Sequence, residues 1–237
     1  IAMDQKNVQF FANIYRKYDT CLGFEVYNSF DRPTSGDRVL WDELLKVVIP
    51  EGRNVWGFAN NDAHRIEDID TAFMDFVMPS YSMANVETAM KNGTFFAVSR
   101  YESGERIGNG DDYPQVTAIS VDEDKDYITI IGKNTDKINW IADGKVIRTD
   151  TKKFSNGTVI SEVHLRNHAD DISCYVRAEL VGEGGVTLTQ AFVCDDGNMA
   201  SLINRGPAAP QNVDIIALLR SFLKMILRTM TSLVVVE

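Results

Sequence analysis

Hydrophobic residues in the first hundred positions follow two different spacings. Near the N-terminus and again in 37–48, which ends before Pro50, apolar side chains recur every three or four residues. This spacing predicts two amphipathic helices. Ser82 and Gly93 are suited to begin and end a third helix. Short apolar runs predict strands at 22–28, 55–59, 72–78 and 94–99. Alternating strands and helices favour parallel βα units.

The spacing changes to a period of two after the segment 104–113. That segment is rich in Gly, Asp and Glu, and we interpret it as a linker. Beyond it, the Asp143-Gly144 pair predicts a tight hairpin. Seven short strands are predicted, at 116–121, 127–131, 137–142, 145–148, 159–165, 174–180 and 186–193. Frequent turns between short strands favour an antiparallel, sandwich-like β-domain over 114–195.

The tail, 206–237, has a third pattern. Apolar residues in 213–236 recur at helical spacing, and basic residues lie four apart. This predicts an amphipathic helix. Its apolar face would dock on the chain itself or on a partner, so an oligomer formed through 213–236 is one expectation.

Composition and charge narrow the range of partners. The chain has 24 Lys and Arg against 34 Asp and Glu, a formal net charge of -10, which argues against binding nucleic acid. No apolar run reaches the ~20 residues that a membrane span needs. The three cysteines, Cys21, Cys174 and Cys194, form no zinc pattern, although Cys174 and Cys194 would meet if their strands were neighbours. The sequence favours no particular cellular compartment.

Asp62 and His64 are the strongest candidates for chemistry. They come just after the apolar run 55–59. Residues two apart at the end of an extended strand project to the same side, so a carboxylate and an imidazole would converge on one point. Such a pair suits a divalent cation, either Mn, Zn or Fe. A lone Asp-x-His is also common in polar loops. We interpret Asp68 and Asp70, which follow, as solvated loop residues.

Three further residues are candidates for the same site. Glu25 lies in an otherwise apolar strand, where a carboxylate needs a partner. It would either line the metal site as a catalytic residue or form a structural ion pair. Asn28 would lie at the pocket mouth and bind substrate, or simply pack. Arg100, just past a strand end, would either contact an anionic substrate or form a surface ion pair.

Several sequence blocks resemble the polymerase-and-histidinol-phosphatase (PHP) family of metal-dependent phosphoesterases. The blocks are 23–28 (GFEVYN), 41–45 (WDELL), 55–64 (VWGFANNDAH), 89–99 (AMKNGTFFAVS), 175–179 (YVRAE) and 189–192 (TQAF). The resemblance covers about residues 1–195. Departures are Asn61, where the family has Asp, and Ala191, where it has Pro.

The resemblance implies a fold and an activity. The fold class would be α/β, with 1–103 the C-terminal part of a PHP-type (β/α)7 barrel, a TIM-like barrel, followed by the β-sandwich-like domain. The activity would be metal-dependent hydrolysis of a small phosphorylated substrate. Asp62 and His64 would be metal ligands, with Glu25 beside them as a third catalytic residue.

The family's other metal ligands have no match in this chain, including its opening His-x-His motif. We therefore expect the chain to be a fragment of a larger protein and to have little phosphoesterase activity alone. One alternative is a non-catalytic binding module, whose β-domain recognises a carbohydrate or a protein partner. Another is a structural role, with the tail helix driving assembly.

Overall fold

The computed structural model describes residues 4–32, 36–107, 112–152, 154 and 157–194. Its helices are α1 (Gln5–Lys17), α2 (Asp37–Val48) and α3 (Met83–Asn92). The strands of the first half are β1 (Gly23–Asn28), β2 (Trp56–Asn60), β3 (Ala72–Phe76), β4 (Phe95–Ser99), β5 (Tyr101–Glu102) and β6 (Glu105–Arg106). Those of the second half are β7 (Gln115–Asp122), β8 (Tyr127–Lys133), β9 (Lys137–Ala142), β10 (Lys145–Asp150), β11 (Thr158–His164), β12 (Tyr175–Gly182), β13 (Gly185–Leu188) and β14 (Phe192–Val193).

Helix α3 begins and ends where its local sequence indicates. The Ser82 hydroxyl accepts a hydrogen bond from the Asn85 amide at 3.1 Å, which satisfies a donor of the first turn. At the other end Gly93 has φ 66°, the left-handed conformation that closes a helix. A Cβ at Gly93 would also lie 2.6 Å from the Trp56 indole, so this position needs glycine for space as well. The predicted cap and stop are confirmed.

Strands β1 and β2 form a two-stranded parallel sheet, as the βα pattern predicts. Helix α2 connects them, and Trp41 of α2 packs against Gly57 of β2. The Trp41 indole N–H donates to the Val55 carbonyl at 2.8 Å. The two strands end side by side, because Asn28 lies opposite Asn60. Their C-terminal ends therefore present two loops at one edge.

Beyond β2 the predicted fold class is wrong. The prediction was an α/β chain with part of a (β/α)7 barrel, but the described chain is mostly β, with antiparallel sheets and no closed barrel. β3 and β4 pair antiparallel with each other, and β4 then pairs antiparallel with β13. They belong to a seven-stranded sheet of order β10-β9-β12-β13-β4-β3, with β14 on β12.

The direction of β4 explains the failure. Strand, helix and strand follow one another from β3 through α3 to β4, as in a crossover. Helix α3, however, brings the chain back to the end of β3 that it left, where the Val77 amide donates to the Thr94 carbonyl at 2.9 Å. The helix is thus an excursion within a hairpin. Hydrophobic spacing indicates that a helix separates two strands but not at which end the chain returns.

Two cores lie on opposite faces of the large sheet. One core joins α1, α2, β1 and β2 to residues of β12 and β13. The other lies against a three-stranded sheet of order β11-β8-β7 and includes Ile130, Val159, Trp140 and Leu180. Trp140 is fully buried, and its indole donates to the Ser161 hydroxyl. It is therefore a core residue.

The large sheet takes strands from both sides of the predicted linker 104–113. The first part of that segment contains β6, which forms a short hairpin with β5 just before the segment. The division into domains 1–103 and 114–195 stays a prediction. The tail 206–237 lies outside the described residues. Within the described part, no helix is both long and apolar enough to cross a membrane.

A buried ion pair fastens α2 to β12. The Asp42 carboxylate accepts from Nε and Nη2 of Arg177, each at 2.8 Å, and from the Tyr175 hydroxyl at 2.7 Å. Arg177 also donates to Glu179 at 2.8 Å. The blocks 41–45 and 175–179, which are far apart in sequence, thus contact each other directly.

Asp75, on the edge strand β3, should make the stability of the fold depend on pH. Partial burial raises the pKa of its carboxyl above the ordinary 3.8, although a hydrogen bond from Tyr113 acts the other way. As pH rises past the unfolded pKa, the unfolded chain releases this proton while the folded chain still holds it. The free energy of unfolding therefore falls as pH rises through the folded pKa.

We expect Asp75→Asn to remove this loss. The variant should match the wild type near pH ~3 and exceed its stability at pH ~7 by less than about 1 kcal/mol, since solvent screens a half-exposed group. Urea unfolding of both proteins across this range measures the difference. A wild type that becomes more stable than the variant as pH rises would contradict the assignment.

Candidate functional site

A cleft of about 410 Å³ lies where β1 and β2 end. We call it the end-of-strand cleft. The loop after β1 lines it with Asn28, Ser29, Phe30 and Arg32, and the loop after β2 with Asp62, His64, Arg65 and Asp68. Asp62, His64 and Asn28, which the sequence suggested separately, are therefore brought together. Their shared location follows from the parallel pairing, which places both strand ends at one edge.

Glu25 holds the two strand ends together beneath the cleft. Its Oε1 accepts a hydrogen bond from the Asn60 amide at 2.7 Å, and its Oε2 accepts one from the Asn28 amide at 3.2 Å. Both carboxylate oxygens thus have protein donors, and Glu25 does not line the cleft. This contact positions Asn28, while a catalytic role for Glu25 stays a prediction.

The loops that carry the site turn sharply. Ser29, Asp31 and Asp62 have φ of 50°, 59° and 48°, which is the left-handed region. Asp is one of the few non-glycine residues that tolerate this region. The buried Asp31 carboxylate holds the first loop by binding the Arg38 guanidinium at 2.7 and 3.0 Å. The turn at Asp62 comes after β2 has ended at Asn60, and the side chains of Asp62 and His64 are exposed there.

Asp62 and His64 lie side by side at the mouth of the cleft. His64 Nδ1 is 2.7 Å from the Asp62 carbonyl oxygen and 4.0 Å from the Asp62 carboxylate. A proton on Nδ1 would be donated to that carbonyl, leaving a lone pair on Nε2, as is usual for metal-binding histidines. Both side chains are exposed, at 60% for Asp62 and 78% for His64.

Asp68 organises the loop that carries this pair. Its buried carboxylate accepts from the His64 amide at 3.1 Å, the Arg65 amide at 2.9 Å and the Arg65 guanidinium at 3.3 Å. The bond from the His64 amide, with those from Arg65, lowers the pKa of the Asp68 carboxyl. Asp68 is 5% exposed, so our interpretation of it as a solvated loop residue is wrong.

The cleft also contains cationic side chains that sequence reasoning missed. Arg32 and Arg65 line it together with His64, so an anion in the cleft would meet donors from both loops. Arg65 is also paired with Glu67 at 3.2 Å. Its place directly after the Asp-x-His pattern is a signal that could have found it, whereas we see no such signal for Arg32.

Arg100 lies elsewhere and has a structural environment. It is 6% exposed, and it donates to Asp70 at 2.8 Å and to the Gly184 carbonyl at 2.9 Å. It is not among the residues that line the end-of-strand cleft. These contacts fit the ion-pair alternative, with the guanidinium buried instead of on the surface, and substrate binding by Arg100 stays untested.

Gln190 supports the strand that leads to the site. Its buried side-chain amide accepts from the Gly57 N–H at 2.8 Å and donates to the Gly57 carbonyl at 3.0 Å, as a neighbouring strand would. It also donates to the Phe95 carbonyl at 3.2 Å. The predicted strand 186–193 is interrupted here, and Gln190 links β2 to the large sheet.

The described residues supply few metal ligands. No group of three or more His, Cys, Asp or Glu side chains within them is placed to hold a metal ion. Asp62 and His64 could therefore contribute one oxygen and one nitrogen to a cation that takes its other ligands from water, substrate or elsewhere. Such an open coordination sphere differs from the closed sphere of a structural zinc site.

No family model, curated protein or solved structure matches the chain.

Proposed function

We propose that the end-of-strand cleft is the metal- and phosphate-binding part of a metal-dependent phosphoesterase site. The observation that carries the proposal is the Asp62 carboxylate beside the His64 imidazole, at the mouth of a cleft that two arginines also line. The resemblance of the blocks 23–28 and 55–64 to the PHP family points the same way. The proposal takes over the family's chemistry but not its barrel, because the described residues form antiparallel sheets and no closed barrel.

The geometry of the pair fits a cation after a small adjustment. With bond lengths of about 2.1 Å, two ligands of a tetrahedral ion lie roughly 3.4 Å apart. The Asp62 carboxylate and His64 Nδ1 are 4.0 Å apart. Using Nδ1 as the ligand would break its contact with the Asp62 carbonyl, whereas presenting Nε2 would keep that contact. Both side chains are exposed, so either rearrangement would disturb no packed neighbour. Either Mn, Zn or Fe would suit the pair.

The chain's own residues would then hold and orient the substrate. A divalent cation held by Asp62 and His64 would supply Lewis acidity, polarising a phosphoryl oxygen and making a bound water more acidic. Asp68 keeps the Asp62–His64 loop in position through its backbone hydrogen bonds. Arg65 and Arg32 offer donors to the remaining phosphate oxygens. Glu25 fixes Asn28, whose side chain lines the opposite wall.

Direct metal binding tests the proposal. We expect the chain to bind Mn²⁺ and Co²⁺. Electron paramagnetic resonance detects bound Mn²⁺, and visible absorption detects bound Co²⁺. Asp62→Ala and His64→Ala should each lower the affinity by at least tenfold, since even outer-shell partners of a metal are worth roughly 10–100-fold. With Mn²⁺ bound, the phosphorus NMR signal of inorganic phosphate should broaden, and Arg65→Ala should weaken that effect.

His164→Ala is the matched control. His164 is partly exposed and also lies near a carboxylate, Glu162 at 2.7 Å, but it belongs to β11. This variant should bind Mn²⁺ as the wild type does. Unchanged affinity in both Asp62→Ala and His64→Ala would rule out the proposed site. Phosphate broadening that does not require Mn²⁺ would separate a simple anion pocket from a metal site.

A further inference from the structure

Phe30 is the one apolar side chain among the described residues that line the end-of-strand cleft. It lies in the loop after β1, and its side chain is partly exposed. The face of an aromatic ring carries partial negative charge, so Phe30 gives no attraction to a phosphate anion. Its ring can therefore contact only the organic part of a phosphoester.

The loop holds Phe30 in one place before any ligand arrives. Ser29 and Asp31, on either side of it, have φ of 50° and 59°. A left-handed backbone at two residues other than glycine persists only where surrounding contacts hold it. The Asp31 carboxylate makes such contacts, because it binds the Arg38 guanidinium and accepts a hydrogen bond from the Ser103 amide at 2.8 Å.

The hairpin of β5 and β6 fixes the ring and its charged neighbour. The rings of Phe30 and Tyr101 meet edge to face, with centroids 4.9 Å apart and planes at 87°. Arg32 packs against Gly104 of the hairpin turn, where an added Cβ would lie 2.4 Å from the arginine Nε. The hairpin thus orients an aromatic ring beside one of the two arginines of the cleft.

We propose that Phe30 is a specificity-determining residue, which stacks against an aromatic group carried by the phosphoester. The inference rests on the proposed function, in which Asp62, His64 and Arg65 hold the metal and the phosphoryl group. The cleft of about 410 Å³ is more than ten times the roughly 30 Å³ that a water molecule occupies, so a bound phosphate leaves space for an organic group.

Ring geometry favours an aromatic group over an aliphatic one of the same size. Aromatic pairs in offset or edge-to-face arrangements gain roughly two- to tenfold in affinity beyond the burial of apolar area. Because the loop and the Tyr101 contact already fix the Phe30 ring, little of this gain is lost in ordering it.

The test is calorimetric titration of the full chain with phenyl phosphate, cyclohexyl phosphate and inorganic phosphate, each with and without Mn²⁺. Cyclohexyl phosphate matches phenyl phosphate in size but has no aromatic ring. With Mn²⁺ present, we expect phenyl phosphate to bind roughly fivefold more tightly than inorganic phosphate and at least about twofold more tightly than cyclohexyl phosphate.

Phe30→Leu keeps an apolar side chain and removes the ring. In this variant the ratio of the phenyl to the cyclohexyl phosphate affinity should fall to about one. Tyr101→Leu should lower the same ratio in part, because the Phe30 ring loses the contact that orients it. Phe10→Leu is the matched control: Phe10 is 59% exposed on α1, and its replacement should leave the ratio unchanged. A ratio does not respond to damage that weakens all ligands equally.

Equal affinities of the wild type for phenyl and cyclohexyl phosphate, or an unchanged ratio in Phe30→Leu, would overturn the inference. If inorganic phosphate still bound only with Mn²⁺, the proposed function would stand without it. A preference for the ring that needs no Mn²⁺ would support the role of Phe30 and count against the metal site. If none of the three ligands bound in the presence of Mn²⁺, both the inference and the proposed function would be wrong.

Discussion

Replacing Arg177 by methionine is expected to lower the free energy of unfolding by about 3–5 kcal/mol, because it leaves the buried Asp42 carboxylate without its counter-charge. Asp42 and Arg177 are each 3% exposed. Burial opposes the charge on Arg177, but attraction and hydrogen bonds from Asp42 outweigh it, and the pKa of the guanidinium is raised. The pair is also the main polar link between α2 and β12.

Urea unfolding of Arg177→Met beside Arg16→Met measures this effect. Arg16 bonds Glu51 through two nitrogens, at 2.7 and 2.5 Å, but these side chains are 38% and 40% exposed. Removing that surface pair should cost only about 0–1 kcal/mol. Equal losses of unfolding free energy in the two variants would mean that burial does not make the Asp42–Arg177 pair more important for stability than an exposed pair. Arg177→Met with Asp42→Leu should recover part of the loss, since no unpaired charge is then buried.

The second large effect is expected at Gln190. Gln190→Leu keeps a side chain of similar size but leaves the Gly57 N–H and the carbonyls of Gly57 and Phe95 without this partner. Unsatisfied buried backbone groups cost about 1–3 kcal/mol each, and partial relaxation should hold the total near 3 kcal/mol. Because Gly57 lies on β2, amides of this strand should also exchange hydrogen faster.

Gln9→Leu serves as the control for the change of residue type. Gln9 is exposed on α1, and surface substitutions of this kind usually alter stability by less than about 0.5 kcal/mol. Hydrogen exchange across β2 in the two variants separates a local from a general effect. If Gln190→Leu unfolds at the same urea concentration as Gln9→Leu, the amide of Gln190 does not hold β2 in place.

Features that depend only on residues close together in the sequence were predictable. Periodic apolar residues located α2 and the strands β1, β2 and β9 to within one or two positions. The side chains of Ser82 and Gly93 suffice to begin and end α3. Asp62 and His64 do lie close together, but a left-handed turn at Asp62 brings them there and not the extended strand that their spacing suggested. Their position near Asn28 follows once β1 and β2 are parallel. These features require only local geometry and one short crossover.

The remaining features were decided by contacts between distant segments. Whether β4 runs parallel or antiparallel to β3 depends on β13, a strand from the far half of the chain, which completes the same sheet. Asp68 and Gln190 look like ordinary polar residues in the sequence. Asp68 is buried within its own turn, where it binds the His64 and Arg65 amides, and Gln190 is buried against Gly57 and Phe95, which are distant in sequence. The amino-acid sequence by itself determined which positions are apolar, where helices begin and where a carboxylate and an imidazole lie two residues apart. Only the tertiary structure decided strand order, the Asp42–Arg177 pair and the walls of the cleft, because hydrophobic spacing specifies which face is buried and not what covers it.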